Sequence, residues 1–281
     1  MLDQAAMLRR KMNQTRVVSV ISGKGGVGKS NVSLNFALAL RKLGKKVILF
    51  DLDIGMANLD ILMGMLPTHT IVDMIEKKLS VWDIIEKGTG GLPFIAGGSG
   101  LSEFFRLDEH QSAHFLNELE KLGHEFDTII FDMGAGMTED ALKFVLASNE
   151  AIIVTTPEPT SMTDAYAALK MIYHSGGEIP VRILVNRAQT DHEGRETSLR
   201  LQQVTEKFLQ RKIRTFCILP EDRIVSDAVK AGVPFLFYSP RSPVARAVME
   251  AAQIWSGLPT EQGGFFHRLK KYFYEYKEKT L

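Results

Sequence analysis

The sequence predicts an α/β fold of three layers: a mostly parallel sheet with helices on both faces. Two observations carry this prediction. Short apolar runs at 17–21, 47–50, 92–96, 128–131, 151–155, 181–185 and 216–219 read as strands buried on both sides. Segments of helical period alternate with them, at 28–43, 108–122, 138–147, 161–173, 197–211 and 243–256, as parallel strands require of their crossovers. At 281 residues, 45% hydrophobic and 24% charged, the chain can bury one sizeable core as a single α/β domain.

The first strand, Val17-Val18-Ser19-Val20-Ile21, runs into Ser22-Gly23-Lys24-Gly25-Gly26-Val27-Gly28-Lys29-Ser30 and then into a helix. Glycines at 23, 25, 26 and 28 allow a tight turn whose backbone N–H groups point inward, an anion cradle at a helix N-terminus. The spacing G-x-x-x-x-G-K-[ST] from Gly23 to Ser30 assigns Lys29 to the β- and γ-phosphates and the Ser30 hydroxyl to Mg²⁺. The fold is therefore read as a three-layer P-loop NTPase, with Gly23, Gly25, Gly26, Val27, Gly28, Lys29 and Ser30 holding a nucleotide, which the family resemblance below implies is ATP. An ordinary phosphate loop has no need of the second cation, Lys24. With it, GKGGVGKS resembles the deviant Walker A signature of the MinD/ParA ATPases. That resemblance implies a nucleotide-sandwich homodimer in which Lys24 reaches the partner's phosphates and acts as an arginine finger does.

Parallel α/β sheets bind ligands beyond the carboxyl ends of their strands, and acidic residues fall at those ends. Asp51 and Asp53 follow the second strand in a stretch similar to the family's switch I, which implies that Asp53 orients the attacking water and Asp51 supports the Mg²⁺ shell. Asp132 closes the strand at 128–131, as a Walker B carboxylate does, and is assigned to Mg²⁺ through coordinated water. Met133 departs from the small residue more usual at that position in the family. At the base-binding end, Asn186 and Arg187 resemble the family's adenine-contacting Asn-Arg, and Pro220, Glu221 and Asp222 resemble its Pro-Glu-Asp loop. An amide can both donate to and accept from the adenine edge, which suits Asn186. Arg187 as a cap or ion-pair residue is the alternative.

Other classes are argued against. A net charge of +1 weighs against a broad nucleic-acid-binding face, so DNA is not the expected partner. Cys217, the sole cysteine, lies in an apolar run and reads as a buried strand residue; it cannot supply a thiolate set for an iron–sulfur cluster. His110 and His114 have a zinc spacing, but no Cys or third His lies near them in sequence. No apolar run spans a membrane and the start has no signal-peptide form, so a cytoplasmic protein is expected.

The ends carry further signals. After a linker at 257–264, the segment 265–281 reads as an amphipathic helix, with Phe265, Phe266, Leu269, Tyr272, Phe273 and Tyr276 on one face and charges including Lys270 and Lys271 on the other. This pattern fits an in-plane helix on an anionic membrane surface, with docking on the protein's own body or on a partner as the competing reading. The ATPase domain is placed at 16–256 and an N-terminal tail at 1–15. Asp3, Gln4, Ala5, Leu8 and Arg9 of the tail match the D-Q-A-x-x-L-R motif of the flagellar-number regulators of the FlhG type, also called FleN or YlxH. By that resemblance the tail stimulates the signal-recognition-type GTPase FlhF, and proteins of the flagellar C-ring are further partners. The chain would then sit reversibly at the inner face of the cell membrane. A division-site role of the MinD type, or DNA partitioning of the ParA type, is the alternative.

Overall fold

Side-chain parity along the strands sorts the chain into layers. In the computed structural model, which describes residues 15–53, 59–98, 108–258 and 264–278, β1 (Arg16–Ser22) sends Val17 and Ile21 to one face and Val18 and Val20 to the other. β2 (Val47–Leu52) and β5 (Thr128–Ala135) repeat the division: Ile48, Phe50, Ile129 and Phe131 join the first face, and Val47, Leu49 and Ile130 the second. The other strands are β3 (Glu86–Lys87), β4 (Pro93–Ile95), β6 (Glu150–Thr155), β7 (Val181–Ala188) and β8 (Arg214–Pro220). They form one eight-stranded sheet in the order β3-β4-β2-β5-β1-β6-β7-β8, parallel except for β3 against β4.

Helices cover both faces, as the alternation predicts. The second face carries α1 (Lys29–Lys42) with the short α2 (Leu59–Met63) next to it, whereas α3 (Ile71–Glu76) buries Ile71, Met74 and Ile75 on the first face and leads into the β3–β4 edge. The first face carries α4 (Glu109–Leu122), α5 (Glu139–Ala147), α6 (Pro159–His174) and α7 (Asp191–Leu209). α8 (Arg223–Lys230), α9 (Phe235–Tyr238) and α10 (Pro243–Gly257) return to the second face, where Val244 and Trp255 join Leu34 and Phe36 of α1.

Three expectations are corrected. α7 begins at Asp191 instead of 197, because Thr190 caps it, accepting from the Glu193 N–H at 3.1 Å. That first turn is polar and lacks an apolar period, and its Gly194 lies so close to β8 that a Cβ would come within 2.4 Å of Ile218. β3 is a further strand, two residues long, too short to leave a periodic signal. Cys217 is half-buried instead of buried, because β8 is the sheet's edge strand. Burial still pushes its thiol up to about 12, with Glu250 adding to the shift. Its native reaction with Ellman's reagent at pH 8 is therefore expected to be on the order of 10²-fold slower than after unfolding in guanidinium. Equal rates would show that the thiol is not held in this environment.

The last helix, α11 (Phe265–Glu278), is amphipathic as predicted, and the structure decides what its apolar face meets. Phe265, Phe266, Leu269 and Phe273 are buried on the protein's own α4–α5 face. The Phe265 ring sits 5.5 Å from that of Phe131, and Phe273 stands edge-on to Phe144 at 5.9 Å. Arg268 donates from Nε to the Ala147 carbonyl (2.9 Å) and from Nη2 to that of Ser148 (3.2 Å), satisfying the C-terminal end of α5. Lys270 pairs with Glu120. Tyr272 is half-buried and Lys271 exposed, while the side chain of Tyr276 lies outside the described residues. In this conformation the apolar stripe faces the core and not a lipid surface. Each of its fully buried side chains contributes roughly 1.5–3 kcal/mol to docking.

Candidate functional site

The phosphate loop joins β1 to α1, and its shape depends on glycine at two ends. Gly28 adopts φ +88 at the N-terminus of α1, where a Cβ would also lie 2.5 Å from Asn186 Nδ2. At Gly23 a Cβ would lie 2.0 Å from the Asp164 carbonyl oxygen, so the loop passes against the backbone of α6. Asn186 Nδ2 donates to the Val27 carbonyl at 2.8 Å. The amide read as an adenine contact thus buttresses the phosphate loop from β7.

Beneath the loop lies a buried electrostatic cluster. Asp51 and Asp132 are paired in register across β2 and β5, and both share the parity of residues facing α1. The Lys29 ammonium bonds Asp132 Oδ1 at 2.7 Å, and the Ser33 hydroxyl donates to the same oxygen at 3.0 Å. Asp132 is 0% exposed, yet its Oδ2 has no hydrogen-bond partner among the described residues. Such a group costs free energy unless something satisfies it. Asp51 accepts from the Asp53 N–H at 3.0 Å; its burial, aggravated by the neighbouring Asp132 charge, pushes its carboxyl up to about 7. Burial likewise raises Asp53, against the opposing pull of Lys29. The Ser30 hydroxyl is 3.5 Å from the Lys29 ammonium. Met133, the departure from the family pattern, is buried on the opposite face and fills the first-face core, so it does not intrude on the carboxylates. An anion cradle above one lysine, with an unsatisfied buried carboxylate oxygen and a serine hydroxyl nearby, is a donor set that fits a magnesium nucleotide.

Lys24 points away from this cluster. Its ammonium reaches Glu158 Oε2 and Thr160 Oγ1, both at 3.1 Å, at the start of α6. The two charged side chains are 41% and 62% exposed, so the pair is worth about 1 kcal/mol or less and exchanges readily. Neither partner is signalled in the sequence. Ser33 also escaped the motif reading, although it stands one helical turn after Lys29 and so shares its face.

At the loop's far side an open groove of about 430 Å³ is lined by Thr156, Pro157, Glu158, Arg187, Gln189, Glu193 and Glu221. Arg187 adopts φ +57, and the Thr156 hydroxyl is buried without a partner among the described residues. Of the Pro-Glu-Asp loop only Glu221 lines the groove. Pro220 ends β8, while Asp222 caps α8 through the Ile224 N–H at 3.0 Å. Of the two histidines, His114 is spent on the Leu79 carbonyl at 3.1 Å, and the described residues contain no group of three or more metal-ligating side chains. Asp3, Gln4, Ala5, Leu8 and Arg9 lie outside the described residues, as do 54–58 beyond Asp53.

Comparison with known proteins agrees with this geometry. Residues 18–235 match the family model described as the CobQ/CobB/MinD/ParA nucleotide binding domain. The chain is 36% identical over 242 residues to the antiactivator FleN of Pseudomonas aeruginosa, covering 86% of each chain. It is 36% identical over 192 residues to the flagellum site-determining protein YlxH of Helicobacter pylori, covering 68% of this chain and 65% of that one. Among solved structures, the septum site-determining protein MinD of Pyrococcus horikoshii, complexed with Mg-ADP, superposes with a TM-score of 0.69 at 27% identity, over 86% of this chain and 96% of its own. A family match spanning most of the sheet and the whole anion cradle establishes that this chain belongs to the MinD/ParA family of nucleotide-binding P-loop proteins.

Proposed function

We propose that this protein is a slow ATPase that dimerises on ATP, associates reversibly with the membrane and regulates flagellar number or placement. The observation that carries the reading is the likeness to FleN over 86% of both chains. The Asp3, Gln4, Ala5, Leu8 and Arg9 motif of the tail supports it.

In the mechanism the N-terminal N–H groups of α1 and the loop glycines bind the phosphates, and Lys29 exchanges Asp132 for the β- and γ-phosphate oxygens. Ser30, and Asp132 through coordinated water, would hold Mg²⁺, with Asp51 supporting that shell; the ion would supply neutralisation of phosphate charge. Asp53 orients a water whose oxygen bonds the γ-phosphorus as the bridging bond to ADP breaks. Lys24 leaves Glu158 and Thr160 to stabilise the partner's phosphates. Asn186, Arg187 and Glu221 face the nucleoside, with Pro220 and Asp222 shaping that loop. ATP-driven dimerisation favours release of α11 from the α4–α5 face. Phe265, Phe266, Leu269, Phe273 and the tyrosines at 272 and 276 then enter the interface of an anionic membrane, with Lys270 and Lys271 at its headgroups. Two helices on one dimer raise the effective concentration of the second. Among the described residues no helix is long and apolar enough to cross a membrane.

The tail then acts on FlhF, and flagellar C-ring proteins are further partners. GTP turnover by FlhF tests this directly. The intact chain is expected to stimulate it and Gln4→Ala to lose that stimulation. Absence of stimulation by the intact chain would move it to the division-site class.

A further inference from the structure

When Lys29 moves to the phosphates, Asp132 loses its shortest contact, the 2.7 Å bond from the ammonium to Oδ1. The carboxylate is buried, and its Oδ2 has no hydrogen-bond partner among the described residues. A buried charge deprived of its partner is costly. With both oxygens loose, it can also turn about its Cβ–Cγ bond. A carboxylate that is to hold an ion through coordinated water has to present one oxygen in a fixed place, so such carboxylates are held by hydrogen bonds of their own.

Ser33 meets that need. It stands on α1 one turn beyond Lys29 and is fully buried; its hydroxyl lies 3.0 Å from Asp132 Oδ1 and 3.1 Å from the Lys29 carbonyl oxygen. A serine hydroxyl has one proton to donate, so the two acceptors compete for it. While the Lys29 ammonium sits on Oδ1, either choice leaves the carboxylate partnered. Once that ammonium withdraws, Oδ1 is the stronger acceptor, because a hydrogen bond to an ionised oxygen is roughly twice as strong as a neutral one. The Lys29 carbonyl is not orphaned by the change, since within α1 it also accepts the backbone N–H four residues on, that of Ser33 itself. The two serines thus divide the work: Ser30 serves the ion, and Ser33 stands behind the ion's carboxylate.

We infer that Ser33 is a positioning residue of the nucleotide site: its hydroxyl takes over Asp132 Oδ1 as Lys29 leaves, and so reserves Oδ2 for the water of the magnesium shell. The inference rests on the magnesium-nucleotide reading of the site. It gives Ser33 its role in the loaded state. Without nucleotide Lys29 still holds Oδ1, so the fold is expected to accept alanine, the best helix former, at this position.

The test titrates the full chain, loaded with ADP, with Mn²⁺ in place of Mg²⁺ and counts the free ion by its electron paramagnetic resonance. Ser33→Ala is expected to weaken Mn²⁺ binding about 10- to 100-fold, the scale on which a group supporting a metal's ligand acts. Its thermal midpoint without nucleotide is expected to stay within about 3 °C of the native chain's. In the Asp132→Asn background, where no carboxylate remains to be held, the same change is expected to add less than about twofold. An equal loss in both backgrounds would show that Ser33 acts by a route other than Asp132 and would overturn the inference. Unchanged Mn²⁺ affinity in Ser33→Ala would overturn it as well, while binding by the native chain leaves the magnesium-nucleotide reading standing. A native, ADP-loaded chain that holds no Mn²⁺ would overturn that reading and the role of Ser33 together.

Discussion

Changing Lys24→Ala is expected to abolish ATP-dependent dimers and lower turnover about 10³-fold or more, the scale of a lost arginine finger. Monomer affinity for nucleotide is expected to change by less than about fivefold, because the interaction removed is an exposed pair worth about 1 kcal/mol or less. The geometry separates the two lysines of the loop. Lys29 is buried at 2.7 Å from Asp132, so its loss strands a buried charge, whereas Lys24 reaches outward to Glu158 and Thr160. Analytical ultracentrifugation with ATP, alongside titration with a fluorescent nucleotide, distinguishes them. Dimers retained by the alanine variant would defeat the action in trans.

Leu269→Ala is expected to release α11 in the absence of nucleotide. Leu269 is 0% exposed between α4 and α5, and truncating a side chain so placed costs roughly 2–5 kcal/mol. Part of that falls on docking, so the undocked population is expected to rise by a factor of about 30 or more, and cleavage of the open form follows that population. Limited trypsin digestion reads it at Arg268, Lys270 and Lys271, the first of which is tied to α5 by two hydrogen bonds when docked. A cleavage rate equal to the native chain's would mean that α11 is held by something other than its apolar stripe.

Much of the site was legible because its signals are local. Four glycines, a lysine and a serine at fixed spacing mark the cradle within a few residues of one another, and Asp51 and Asp132 are marked by the apolar strands they close. The roles of Asn186 and Asp222 were less so. Asn186 is 159 residues from the Val27 carbonyl it holds, and Asp222 reads equally well as a nucleotide contact or as the helix cap it forms. Where α7 begins was obscured because its first turn is polar, with a glycine chosen for close approach to β8.

The sequence by itself determined that a parallel sheet presents a phosphate loop and strand-end carboxylates at the carboxyl ends of its strands, and that the segment from Phe265 forms a two-faced helix. These properties follow from periodicity and from motif spacing, which act within a few residues. Tertiary structure alone decided that the helix's apolar face is covered by Phe131, Phe144 and their neighbours, that Lys24 rests on Glu158, and that the two aspartates stand side by side. An amphipathic period states that a face must be buried without saying against what. The order of strands and the packing of layers supply that answer.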